Sequence, residues 1–152
     1  MKIAVLGGGH GCYAAAADLS EAGHEVRLWR RNAAALQPVI DTGTIVLKDA
    51  DGVREVPVAF ATADIGKALQ GAQLILIPSP ATAQVDIARA MTPHLVSGQV
   101  VFLAPGTFGS CVMARLVREA GNTAQVAWAE TGTLPYLARK YGGEQWLPSD
   151  PL

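Results

Sequence analysis

A chain of 152 residues suffices for one domain with a substantial core, and half hydrophobic against 16% charged residues excludes a disordered or tail-bearing polypeptide. Lys and Arg number 12 and Asp and Glu 13, a formal charge of -1, so no global field draws the chain to nucleic acid or to an anionic membrane. Two cysteines far apart, no signal-peptide pattern and no apolar run near the roughly 20 residues of a spanning helix lead to the expectation of a cytoplasmic protein with reduced thiols.

Residues 3–6 form a continuous apolar run that stops at glycines, the mark of a strand buried on both faces of a parallel sheet. Residues 10–22 follow as a helix carrying Ala14, Ala15, Ala16 and Ala17 and ending at Gly23, with small side chains that permit close packing on the sheet. Residues 25–29 are the second strand, which completes a strand-helix-strand unit within about 30 residues. A short helix is expected over 32–39, capped by Asn32 and interrupted by Pro38. Residues 44–47 and 54–59 flank Asp49-Ala50-Asp51-Gly52, whose Asp-Gly step predicts a hairpin. Beyond it come helix 64–70, strand 74–77, helix 81–91, strand 100–104, helix 111–120 closed by Gly121, and strand 125–130. The pattern specifies an α/β fold of the Rossmann type, a doubly wound, mostly parallel sheet with an inserted β-hairpin.

At the first strand-helix junction, Gly7-Gly8-Gly9-His10-Gly11-Cys12 has the spacing of the dinucleotide fingerprint G-x-G-x-x-G/A, with cysteine at the third small-residue position. Gly7 permits the tight turn, Gly9 lets backbone N–H groups approach a pyrophosphate, and a small residue at Cys12 lets the helix lie close to the strands. The helix start presents unsatisfied amides and a partial positive charge, so His10 is expected to act through its backbone rather than its ring. The rival reading is a glycine turn used for packing alone.

The tip of the second strand selects the nucleotide. A carboxylate there accepts hydrogen bonds from the ribose of NAD, but this chain reads Trp29-Arg30-Arg31-Asn32, with Arg30 standing 23 positions beyond Gly7. Guanidinium groups suit a 2′-phosphate, so NADP is the preferred cofactor, with NAD as the alternative. Two other readings stay open: Arg30 stacks on the adenine of either cofactor, or both arginines are solvated surface. Loops at the C-terminal ends of later strands place Pro78, Ser79, Pro105 and Gly106 as candidate walls of the nicotinamide side, against the plainer reading that proline ends a strand. Cys111 is expected to be an inert, half-buried thiol, and His24 and His94 surface residues. Glu130 is the one carboxylate at a strand tip facing the cleft, and its position alone does not make it a base. No catalytic residue is assigned and no metal site is expected.

These residues resemble the octopine/nopaline (opine) dehydrogenases. Residues 1–11 resemble that family's opening, in which an asparagine often takes the place of His10, and Gly23-His24-Glu25-Val26 also fits. More discriminating is Glu130-Thr131-Gly132-Thr133-Leu134-Pro135-Tyr136, similar to the family's Glu-Thr-x-Thr-Leu-Pro-Tyr segment after the sixth strand. The resemblance divides the chain into an NAD(P)-binding domain over 1–143 and an irregular tail over 144–152 containing Pro148-Ser149-Asp150-Pro151. It implies reductive condensation of an amino acid with a 2-oxo acid, hydride passing from NAD(P)H to the imine, with catalytic His and Asp in a second, helical domain absent here. The resulting expectation is a domain that binds cofactor without turnover and is able to form a homodimer through its uncovered face. Glycerol-3-phosphate- and ketopantoate-type reductases share much of this pattern, and a non-catalytic NAD(P) sensor is a third reading. The Arg30 side chain argues against a methyltransferase, which wants an acid at that tip.

Overall fold

Side chains of β1 (Lys2–Leu6) alternate between two cores: Ile3 and Val5 enter one, Ala4 and Leu6 the other. A strand can do this when both faces of its sheet are covered. The computed structural model, which describes residues 1–141 and 145–148, places β1 inside a six-stranded sheet whose paired strands are all parallel. The chain climbs through α1 (His10–Glu21) to β2 (Glu25–Trp29), which pairs with β1 from Lys2 opposite Glu25 to Leu6 opposite Trp29. On the other side of β1 stand β6 (Leu74–Ile77), β7 (Val100–Leu103) and β8 (Ala127–Glu130). Strand order therefore reverses at β1, and a crevice opens beyond the C-terminal ends of the strands at that point. One core lies between the sheet and α1, where Ala15, Ala16 and Ala17 are fully buried. The other packs α3 (Ile65–Leu69), α4 (Ala81–Met91) and α5 (Gly109–Glu119) on the opposite face.

The expected hairpin is present as β3 (Thr44–Asp49) and β4 (Gly52–Pro57), paired from Thr44 opposite Pro57 to Asp49 opposite Gly52. Gly52 has φ +112°, which explains the glycine there. The arm expected over 54–59 is shifted, however: β4 ends at Pro57, and a separate β5 (Phe60–Thr62) joins β2 as an edge strand of the main sheet. The helix expected over 32–39 also moves. The Asn32 Oδ1 accepts a hydrogen bond from the Ala35 amide at 3.1 Å, but the regular helix, α2, spans Gln37–Thr42. Pro38 sits in its first turn, where no N–H is required, so it starts the helix rather than interrupting it.

The end of the chain departs from the irregular tail expected over 144–152. Within it, β10 (Gln145–Pro148) is a strand, antiparallel to β9 (Ala138–Tyr141) and parallel to β3. A second sheet of order β4-β3-β10-β9 results; residue 144 and residues 149–152 lie outside the described residues. No described helix is long and apolar enough to cross a membrane.

Candidate nucleotide-binding cleft

The three consecutive glycines after β1 are required for different reasons. Gly7 has φ +134°, and a Cβ there would collide with Ser79 Oγ and stand 2.7 Å from Cys12 Sγ. At Gly8 a Cβ would fall on the Arg30 side chain, whose Nε is 2.5 Å away. At Gly9, the residue preceding α1, a Cβ would meet nothing within 4 Å. Gly7 and Gly8 are thus demanded by the protein's own packing, whereas Gly9 faces open space, the position where a fingerprint glycine admits a phosphate. The first turn of α1 carries no acidic residue, so no carboxylate of that turn opposes an anion at the positive end of the helix dipole. His10 opens that turn with an exposed ring, and a Cβ on Gly11 would make ordinary contact with the Pro78 carbonyl at 3.5 Å.

Cys12 is fully buried, and its thiol has carbonyl partners at Pro78, 3.4 Å, and Leu6, 3.8 Å. Burial pushes its pKa up, so it stays a protonated packing residue. This accounts for cysteine in place of alanine: the S–H fills the gap between two strand ends and meets their acceptors. Ser79 lies behind the same loop and donates to the Leu6 carbonyl at 3.2 Å.

Arg30 and Arg31 part company at the end of β2. The half-buried Arg30 lies against Gly8, and its Nη1 donates to Tyr13 OH at 3.1 Å and to the Ala35 carbonyl at 3.0 Å. Arg31 is exposed and pairs with Asp86 of α4, Nη1 to Oδ2, at 3.0 Å. Between these groups lies a cleft of about 810 Å³ lined by Gly7, Gly8 and Gly9, by Arg30, Arg31 and Asn32, by Ser79 and Pro80, and by a face of α4. Sequence reasoning missed that face. Ala83, Ile87 and Ala90 recur at helical spacing, a signal that was legible, but nothing local says that they border the glycine loop. Two other described clefts, about 580 and 310 Å³, lie around Asn122 beyond the C-terminal end of α5.

Pro105 and Gly106 do not line this cleft. The Gly106 amide donates to the Thr131 carbonyl at 2.9 Å, its carbonyl accepts from Gln84 Nε2 at 3.2 Å, and a Cβ on it would collide with Glu130. Glu130 in turn accepts hydrogen bonds from the amides of Ser110, 2.9 Å, and Phe108, 2.7 Å. Ser110, then Phe108, hold its carboxyl below the usual glutamate range, so it is an anionic cap on α5 and not a base awaiting a proton. Thr107 and Phe108 both adopt left-handed backbone, φ 54° and 63°, and the Phe108 ring is 79% exposed. Tyr136, from the segment that carries the family resemblance, donates to Asp18 Oδ2 of α1 at 2.7 Å. Cys111 is exposed rather than half-buried, because it falls on the outer side of the first turn of α5.

Comparison with known proteins agrees with this geometry. The family model for the NAD-dependent glycerol-3-phosphate dehydrogenase N-terminus matches residues 2–106. An opine dehydrogenase of Arthrobacter sp. (strain 1C) is 30% identical over 136 residues, 90% of this chain and 38% of that protein. A glycerol-3-phosphate dehydrogenase [NAD(P)+] of Nitratidesulfovibrio vulgaris (strain DP4) is 39% identical over 106 residues, 68% of this chain and 31% of that one. Octopine dehydrogenase in complex with NADH and agmatine superposes with a TM-score of 0.81 at 23% identity, covering 97% of this chain and 39% of its own. The chain thus spans between a quarter and two fifths of the length of these relatives. The glycine loop, the reversal at β1 and the family match over residues 2–106 together establish that the chain belongs to the NAD-dependent glycerol-3-phosphate dehydrogenase N-terminus family and is an NAD(P)-binding Rossmann domain.

Proposed function

We propose that this chain is the NADP(H)-binding part of an opine-type dehydrogenase, cytoplasmic, acting on the imine formed by an amino acid and a 2-oxo acid. The observation that carries the cofactor half of this reading is the single cleft joining the glycine loop to Arg30 and Arg31. The α1 amides next to Gly9 would hold the pyrophosphate, and Arg31, at the outer end of the cleft, the 2′-phosphate of the adenosine. Bound there, the cofactor supplies a hydride. The chain's own residues orient it: Gly8 and Arg30 shape the floor of the cleft, while Glu130 fixes the loop at residues 105–108 on α5. Residues 1–152 contribute the cofactor site in this reading, and turnover further requires substrate and a proton donor held against the nicotinamide.

The opine assignment is supported by the Arthrobacter relative, whose similarity runs through 136 residues, and by the Glu130-to-Tyr136 segment anchored on α1. A second reading, a glycerol-3-phosphate-type reductase, is favoured by the family match itself. Assaying the product of the whole gene for imine reduction against simple ketone reduction separates the two. The cofactor reading is tested by titrating the purified chain with NADPH and NADH; absence of binding by both sinks it.

A further inference from the structure

The residues lining the nucleotide cleft include three arginines, Arg30, Arg31 and Arg89, and one carboxylate, Asp86. That carboxylate is on α4, across the cleft from the end of β2, and it holds Arg31 at 3.0 Å. Of the two arginines at the end of β2, Arg30 is already engaged by Tyr13 and the Ala35 carbonyl, so Arg31 is the better placed to turn to a ligand. Its pairing with Asp86 is not a structural anchor. The two side chains are 77% and 57% exposed, and exposed ion pairs contribute about 0–1 kcal/mol.

We infer that Asp86 is a specificity-determining residue, which competes with the 2′-phosphate of NADP(H) for Arg31 and so tempers a preference for NADP(H) over NAD(H). The inference rests on the cleft being the cofactor site. A 2′-phosphate carries roughly -1.5 to -2 charges at neutral pH, taking the value for a phosphate monoester. To bind Arg31 it must displace the Asp86 carboxylate or lie beside it, and either way a like charge opposes it. NAD(H) presents a neutral 2′-hydroxyl at the same place and escapes this opposition. Asp86 and Arg31 act as a selectivity pair: the arginine attracts the phosphate, and the carboxylate limits how strongly.

The test uses the full chain with Asp86→Asn and, as a second variant of different shape, Asp86→Ser, each titrated with NADPH and NADH at one low ionic strength. The ratio of NADPH to NADH affinity is expected to rise about fivefold in both variants, the size of an exposed charge-pair effect near 1 kcal/mol. In an Arg31→Ala background Asp86→Asn should raise the ratio by much less, since the competition has lost its object. Raising the salt should shrink the rise in the single variants. If both cofactors bind and the ratio stays within about twofold of the parent in both variants, Asp86 has no such role while the cofactor reading stands. If neither cofactor binds the parent chain, the cofactor reading fails and the inference falls with it.

Discussion

Arg30 and Arg31 are adjacent in sequence, yet their substitutions should read out differently. Arg30 supports the glycine loop through Gly8 and spends Nη1 on Tyr13 and Ala35, so Arg30→Ala should weaken NADH and NADPH together. Arg31 touches only an exposed carboxylate among the described ion pairs, so Arg31→Ala should weaken NADPH about tenfold with a smaller effect on NADH, in line with a charge-assisted phosphate contact near 1.4 kcal/mol. Equal losses on Arg31→Ala in parallel fluorescence titrations would refute the phosphate assignment. Gly7 answers to a different constraint. An alanine there must hold φ near +134° and also displace Ser79, so Gly7→Ala should lower stability by about 1–3 kcal/mol and abolish cofactor binding. Chemical denaturation checks the first effect. Gly9→Ala is the control: with nothing within 4 Å of its Cβ, it should leave the midpoint nearly unchanged while blocking the pyrophosphate.

At the scale of elements, the long periodic segments were legible in sequence and the short ones were not. The strand at residues 2–6, α1, β6 and α4 announce themselves by runs of apolar or small residues with clear stops. Phe60-Ala61-Thr62 is too brief to show a period, and it becomes β5 because β2 offers a free edge, which no local pattern records. The same holds for β10, whose pairing with β3 crosses about a hundred residues of chain. In the cleft, the glycine loop and the arginines were legible because each is contiguous; Asp86 was not, because its meaning depends on α4 crossing opposite β2. The role of Glu130 was hidden for a similar reason: strand position places the carboxyl at the cleft side, but the loop at 105–108 turns α5 onto it. Because the folded pKa of Glu130 is lowered, its stabilisation of α5 is present in full above a glutamate's ordinary 4.5 and fades as the pH falls through the folded value. Glu130→Gln should therefore melt below the parent at pH 7, and the gap should close as thermal melts are repeated toward pH 3.

For the whole molecule, the fold brings three separately encoded pieces to one place. Reversal of strand order at β1 sets the glycine loop beside the ends of β2 and β6, and α4 leads out of β6 to close the outer wall. None of the three makes a nucleotide site alone, so cofactor binding should be coupled to global folding rather than to one loop. A ligand that binds the folded chain and not the unfolded one stabilises it by RT ln(1 + [L]/Kd), about 2.7 kcal/mol at a hundredfold excess over Kd. In a domain of this size about 1 kcal/mol shifts Tm by roughly 2–4 °C, so saturating NADPH should raise Tm by about 5–10 °C. NADH at the same concentration should raise it less, and Arg31→Ala should bring the two shifts together. The same experiment separates a folded site from adventitious surface binding: a surface ligand would add little to Tm, and its shift would survive Gly9→Ala. Loss of the NADPH shift in Gly9→Ala, with the unliganded Tm retained, is the result expected of a cofactor held by the first turn of α1.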